Sequence, residues 1–318
     1  MKLSQLEYVV AVAEQGGVRA AARALQVGQP SLTRSLAELE RELGIALFER
    51  RARGVVATSL GQVFIERARV ILGDVQRARD ELGQLGGGSV GTVTAGLSIA
   101  THLALLPGAL APFIRRYPDT KLHIIEGFYP TLEAGLRNGT VDFYMGVDPG
   151  QKVAPELTRE LVSPNRRTVL CRIGHPLAHA RSLAELTGAS WASTSITRAD
   201  QDEVGAVFIR HGLPVPKVSL RTQSALTTMT CLLSTDLLAM APAQWTGASV
   251  VQHTLATIMV KEELAALPMV IIRRSDAVLT PAATHFLDLL RRGRVLPAPM
   301  PSGCRHKAPS ATLPGERQ

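Results

Sequence analysis

LQVGQPSLTRSLAELE, residues 25–40, decides how the rest of the chain is read. Gln26-Val27-Gly28 reads as a turn, and Pro30 falls at a first helical position, where its fixed φ and missing N–H cost nothing. Leu32, Leu36, Leu39 and Leu43 recur at four, three and four, which predicts one apolar helix face. An ordinary surface helix would set Glu and Lys opposite. This one sets Gln29, Ser31, Thr33, Arg34 and Ser35 there. Such a helix suits the DNA major groove, about 12 Å wide, where phosphates would repel acidic side chains. Gln pairs with adenine edges, Arg with guanine, and hydroxyls with base or phosphate. The plain alternative is an amphipathic helix whose polar side meets only water, so the flanking sequence has to decide.

Upstream, Leu3, Leu6, Val10 and Ala13 predict an apolar helix face that ends at Gly16-Gly17, and residues 19–25 predict a short Ala-rich helix. Helix, turn and helix form a helix–turn–helix. Downstream, LFERRARGVVAT (residues 47–58) places Gly54 between two extended runs, which predicts a hairpin. Arg50, Arg51 and Arg53 would make it a basic wing that holds the adjacent backbone or minor groove. Residues 1–57 are therefore expected to form a winged helix–turn–helix DNA-binding domain.

Thr58 can cap a long helix reaching to about Leu85, with Leu60, Phe64, Ile71, Val75, Ala78, Leu82 and Leu85 along it. At 1.5 Å per residue it runs roughly 40 Å, too long to bury against one small module, so pairing with a second copy is expected. GGGS, residues 86–89, is expected to form a flexible joint, and residues 58–88 a linker helix and hinge. From Gly91 strand-like and helix-like segments alternate, which implies an α/β domain with a parallel sheet. From Pro297 onward Pro, Ser and Gly dominate, and 297–318 is expected to be a disordered tail.

The chain has 318 residues, 46% of them apolar, enough for about two domains with real cores. Its net charge of +8 admits an anionic partner, nucleic acid or a membrane surface. Cys171, Cys231 and Cys304 are few, odd in number and far apart, which fits a reducing cytosol. Glu7 and Glu14 interrupt the N-terminal apolar run, so it does not read as a signal peptide. No apolar stretch approaches the roughly 20 residues a membrane span needs. A cytoplasmic protein is expected, without a membrane partner.

The first 85 or so residues resemble the DNA-binding region of a LysR-type transcriptional regulator. The motifs are the Ala-Ala-Ala-x-x-Leu core, Gln-Pro-Ser after the turn, Leu-Glu-x-Glu-Leu-Gly, LFER, and Thr-x-x-Gly opening the linker helix. Further on, LLPGALAPFIRRYPD, LRNGTVDF and GHPLA resemble the family's effector domain. The resemblance implies a winged helix–turn–helix, a dimerising linker helix and a two-lobed α/β effector domain like a periplasmic binding protein. The expected span is 89–296, with lobe I at 89–163 and 269–296 and lobe II at 164–268. It also implies double-stranded promoter DNA as partner, a small-molecule effector and a homodimer or homotetramer, with RNA polymerase as a further partner. The setting would be the bacterial nucleoid. Gln29, Pro30, Thr33 and Arg34 match the family's groove-reading positions. Gly28 stands where the family often has a Ser cap, and Gly17 replaces a frequent Ser before the preceding helix.

In such a domain ligands bind beyond the carboxyl ends of the strands. Strand ends place Ser98, Thr101, His102, Tyr129, Thr131, Ser195, Thr197, Thr222 and Ser224 as candidate effector-binding residues. Helix N-termini at those places favour an anion, so a carboxylate or sulfonate is expected, and Tyr129 at a cleft mouth would favour a flat body. GFYPT and LPVPKVSL resemble regulators of aromatic sulfonate and aromatic acid catabolism. No catalytic residue, metal site or cofactor is expected beyond the small-molecule co-inducer.

Other readings fare worse. A regulator of the same fold without a metabolite signal, or with a redox signal at Cys171 or Cys231, is the nearest alternative; a solute-binding protein or a hydrolase is more remote. Gly86, Gly88 and Gly91 match G-x-G-x-x-G but have a helix before and a strand after, the reverse of a dinucleotide site. GLSIA has Ala100 where a nucleophile elbow needs Gly. His175 and His179 are four apart, but Pro176 argues against a shared helical face for metal.

Overall fold

The computed structural model describes residues 1–51, 54–194 and 203–293. Arg53, Ser195, Thr197, Cys304 and the expected tail at 297–318 lie outside the described residues, and Arg50 is described through its backbone alone. The chain divides into two compact units. One is Met1–Pro164 with the described part of Leu267–Arg294, the other Asn165–Ala266.

The first unit begins with α1 (Leu3–Gln15), α2 (Val18–Ala24) and α3 (Gln29–Leu43). Leu32, Leu36 and Leu39 of α3 are buried with Val9, Val12, Ala21, Ala22 and Leu47. The α1 face differs from expectation: Gln5, Leu6, Val9 and Val12 are buried, while Leu3, Val10 and Ala13 are only partly so. Residues 9–13 are apolar throughout, so periodicity alone could not choose among them. The turn after α2 follows from its backbone bonds. Val27 N–H donates to Ala22 O and Gln26 N–H to Arg23 O, with Gln26 left-handed at φ 55°. Gly28 caps α3 without a side chain, and Pro30 occupies its first turn.

The hairpin consists of β1 (Phe48–Arg51) and β2 (Gly54–Ala57), antiparallel from Phe48↔Ala57 to Arg51↔Gly54. Gly54 has φ +132°, and a Cβ there would lie 2.7 Å from Gly16 O, so the wing packs tightly on the end of α1. Thr58 Oγ1 accepts the Gly61 N–H at 2.9 Å and opens α4 (Ser59–Leu85).

After α4 the glycines form a specified reversal instead of the free spacer that composition implied. Gly86 N–H donates to Leu82 O and Gly88 N–H to Gly83 O, and a Cβ on Gly88 would lie 2.8 Å from Gly83 O. The chain then enters a five-stranded sheet of order β4-β3-β5-β12-β6. Its strands are β3 (Gly91–Leu97), β4 (Thr120–Glu126), β5 (Phe143–Val147), β6 (Leu157–Ser163) and β12 (Met269–Arg274). The flanking helices are α5 (Ile99–Ala104), α6 (Leu106–Arg116), α7 (Tyr129–Asn138) and α11 (Pro281–Arg292). Phe113 and Phe143 pack on Phe286, with ring centroids 5.0 and 6.2 Å apart.

The second unit holds a sheet of order β11-β7-β10-β8-β9. Its strands are β7 (Arg167–Arg172), β8 (Ser190–Ser193), β9 (Lys217–Arg221), β10 (Leu238–Pro242) and β11 (Leu255–Ile258). The helices are α8 (Glu203–Arg210), α9 (Ala225–Ser234) and the short α10 (Ser249–Gln252). Trp191 and Phe208 meet edge to face at 5.5 Å in its core.

The expectation of a purely parallel sheet is corrected in both units. β3, β4 and β5 are parallel, but β12 runs antiparallel to β5 and β6. β8 is parallel to β9 and β10, but β7 runs antiparallel to β10 and β11. Antiparallel neighbours need no crossover helix, so they leave no trace in a strand–helix alternation.

Candidate functional site

Burial of Leu32, Leu36 and Leu39 turns the opposite face of α3 outward. Gln29, Pro30, Ser31, Thr33 and Arg34 are all exposed along its first two turns. Among the described residues none of their side chains takes part in a hydrogen bond or ion pair. Ser35, the next polar residue, is half-buried, and its carbonyl accepts from the Gln5 amide at 3.4 Å.

Of the three acidic residues of α3, Glu38 is exposed, and Glu40 and Glu42, further along, are occupied. Glu40 accepts the Leu47 N–H at 2.7 Å and the Phe48 N–H at 3.2 Å, which sets the entry to the wing. Glu42 pairs with the N-terminal amine at 2.7 Å. Gly44 ends the helix in the left-handed region at φ 70°. The Leu-Glu-x-Glu-Leu-Gly motif is thus a brace and a stop, and it keeps carboxylates away from the exposed start of α3. In the wing Arg51 is exposed and pairs with Glu49 at 2.6 Å, so its charge is partly offset.

The candidate effector residues divide by burial. Ser98 and Thr101 are buried. Ser98 Oγ accepts the Thr101 N–H at 3.4 Å, and Thr101 Oγ1 donates to Met145 O at 2.8 Å. The Ser98 hydroxyl caps α5 and the Thr101 hydroxyl ties the helix to β5, so neither is an open ligand group. His102 is half-buried, and its Nδ1 is enclosed without a hydrogen-bond partner. Thr131 is exposed and donates to Phe128 O at 2.8 Å.

Tyr129 does not stand at a mouth: it is 1% exposed and packed with Leu132, Leu136, Tyr144 and Ile272. Burial, more than its neighbour Glu133, raises its phenol above the ordinary tyrosine value. A ring at the start of α7 faces the sheet when its neighbours one turn on are apolar, and Leu132 and Leu136 are. In the second unit Thr222 Oγ1 accepts the Ser224 N–H at 3.2 Å and Ser224 Oγ accepts the Thr227 N–H at 3.2 Å; both residues are half-buried.

The set-aside groups have structural work. His175 is buried; its Nδ1 accepts the Leu177 N–H at 3.0 Å and its Nε2 lies 3.1 Å from Asp236 O, so both ring nitrogens are taken. Cys171 is buried, with its thiol pushed up by burial.

One group of charges escaped sequence reasoning. Asp142, partly buried before β5, takes the Thr94 N–H at 2.7 Å, and burial raises its carboxyl to about 6 against the pull of that bond and of Arg77. Arg274, at the end of β12, is buried between Asp74 and Asp276. Asp142 lies in LRNGTVDF and Arg274 in no quoted motif, and only the fold brings them to the linker helix.

Residues 3–62 match the family described as bacterial regulatory helix-turn-helix protein, lysR family, and residues 86–294 match the LysR substrate binding domain. The transcriptional regulator GbpR of Azospirillum brasilense is 30% identical over 239 residues, 74% of this chain and 70% of the relative. TfdS of Cupriavidus pinatubonensis is 30% identical over 308 residues, 92% of this chain and 99% of the relative. In fold the chain resembles full-length CbnR solved with its target DNA. The TM-score is 0.66 at 22% identity, covering 92% of this chain and 100% of that one. Full-length OxyR from Pseudomonas aeruginosa gives a TM-score of 0.67 at 22% identity, covering 93% and 96%. With a helix–turn–helix at one end and the matched α/β domain behind it, the chain belongs to the LysR family: it is a DNA-binding transcriptional regulator with an effector-binding domain.

Proposed function

We propose that the protein reads promoter DNA with Gln29, Pro30, Ser31, Thr33 and Arg34 and holds the flanking backbone with Arg50, Arg51 and Arg53. The observation that carries this reading is the exposed, unengaged polar run at the start of α3. Bases are read by Gln29, Thr33 and Arg34, and phosphates by the wing. Two chains pair through α4, and pairs join into a tetramer on the promoter, where RNA polymerase is a further contact. The setting is the bacterial cytoplasm, at the nucleoid, and no cofactor is needed beyond a small-molecule co-inducer.

The co-inducer is a small organic anion, a carboxylate or sulfonate. His102 is the foremost recognition group in the first lobe: its Nδ1 has no hydrogen-bond partner, as Tyr129 OH and Ser163 Oγ have none, but among the strand-end candidates Tyr129 is core while His102 is only half-buried. Thr131, Thr222 and Ser224 are the remaining accessible hydroxyls. Burial of Tyr129 removes the ring expected to select a flat body, so an aromatic acid or sulfonate rests on the resemblance of GFYPT and LPVPKVSL alone.

A thermal-shift series with benzoate, benzenesulfonate and short dicarboxylates tests this. An effector at 100 times its Kd adds about 2.7 kcal/mol. His102→Ala is expected to keep the unliganded melting temperature and lose the shift. A shift of equal size in wild type and His102→Ala, or no shift with any acid, would contradict the assignment.

A further inference from the structure

The second half of α4 carries Asp74, Arg77, Asp80 and Gln84, spaced by three, three and four, so they line one helix face. Each grips a different part of the first lobe. Arg77 Nη1 donates to Gly139 O at 2.7 Å, just beyond α7. Asp80 Oδ2 accepts the Thr92 N–H of β3 at 3.1 Å. Gln84, 8% exposed, donates to Val90 O at 3.2 Å and accepts the Ala282 N–H of α11 at 2.9 Å. Asp74 accepts from the Arg274 guanidinium at 3.3 and 3.5 Å.

Two of the charges in this contact, Asp74 and Arg274, have two charged partners each. Arg274, 7% exposed, donates to Asp276 in its own lobe at 2.9 and 3.0 Å, closer than to Asp74. Arg77 pairs with Asp74 on its own helix. Separating a buried ion pair is costly because it strands a charge. Here separation strands none: Arg274 keeps Asp276 and Arg77 keeps Asp74. Asp142 feels both charges of this helix face, drawn by Arg77 more than it is repelled by Asp80. A permanent weld between a helix and a sheet would be apolar; this one is polar and compensated on both sides.

We propose that this stripe is a release latch. Closed, it makes the second half of α4 part of the first lobe; open, it frees the helix while the lobe stays folded. One strand it grips, β3, leads to the candidate effector end. Thr92 lies at the start of β3, and Ser98 follows its end; in the neighbouring β5 the Met145 carbonyl accepts both the Ser98 N–H and the Thr101 hydroxyl. Coupling to an effector rests on the proposed function; the opening itself does not.

Amide hydrogen exchange of the full-length protein, without DNA or effector, tests the latch. The Thr92 and Ala282 amides are expected to exchange at least tenfold faster than the amides within β3 and β5. Asp74→Ala is expected to speed both further, and Asp276→Ala to slow them, because Arg274 would then depend on the helix for its counter-charge. Gln84→Ala, which touches no charge, is expected to speed both tenfold and leave β5 and the part of β3 beyond Thr92 unchanged. Thr92 and Ala282 exchanging at the rate of the inner strands would overturn the proposal. So would Asp74→Ala and Asp276→Ala acting in the same direction, or no acceleration in Gln84→Ala.

Discussion

Gly61, in the first turn of α4, occupies a place where a Cβ would stand 1.9 Å from Leu47 O and 2.8 Å from its carbonyl carbon. Both are backbone atoms and cannot swing aside. The Thr-x-x-Gly motif at 58–61 is therefore a hydrogen-bonded cap followed by a position where the linker helix touches the start of the wing. Gly61→Ala is predicted to cost on the order of 3 kcal/mol, the scale of an overpacked site, in urea unfolding; a cost below about 1 kcal/mol would show that the contact yields. Asp142 makes a second prediction at this scale. Its carboxyl titrates at about 6 in the folded protein, above the value of about 3.9 in an unfolded chain. The folded state thus binds the extra proton between pH 4 and 6, and the contribution of Asp142 is fully present below that window and is lost as pH rises through it. Asp142→Asn keeps an acceptor for Thr94 and cannot ionise. Its stability relative to wild type is predicted to be higher at pH 7 than at pH 4.5, in urea midpoints taken at both; an equal difference would remove Asp142 from the pH dependence.

Among the elements, α3 was the most legible. Its leucines, its proline and the residues it exposes all follow from a 3.6-residue period written in sixteen letters. The face of α1 was not legible, because its run from Val9 to Ala13 is apolar on every side. β6 escaped notice since it exposes Thr158, Arg159, Glu160 and Leu161 at a sheet edge, where charge protects the strand instead of burial marking it. α4 falls between these cases. Its length and cap are plain in sequence, but which apolar residues face outward is not. Leu60, Ile71 and Leu82 are exposed and spaced by eleven, and Val63 and Leu85 are exposed beside them. Eleven residues make three turns, so this stripe runs almost straight along the helix. An exposed apolar stripe on an isolated chain is what a second copy would cover. Ile71→Glu is predicted to shift sedimentation from dimer or tetramer toward monomer while far-UV circular dichroism stays unchanged; an unaltered sedimentation coefficient would move the pairing surface elsewhere.

At the scale of the molecule, the order of helix–turn–helix, linker and α/β domain could be read from residues 1–85 and the alternation that follows. The candidate effector site was read less well. Hydroxyls at strand ends are common to caps, tethers and ligand sites; Ser98 proved to be a cap and Thr101 a tether to β5, while Tyr129 proved to be core. The charged contact between α4 and the first lobe was invisible, because Asp74 and Arg274 stand 200 positions apart and no local pattern links them. What holds the functional reading together is that the exposed start of α3 meets base edges. The most direct measurement is a mobility-shift titration of wild type and Arg34→Ala on a duplex selected from a random pool by the wild-type protein, and on unselected duplex of equal length. Arg34→Ala is predicted to lose about 1–3 kcal/mol on the selected duplex and little on the unselected one. Equal losses on both would make Arg34 a phosphate contact and take the base-reading role away from this face.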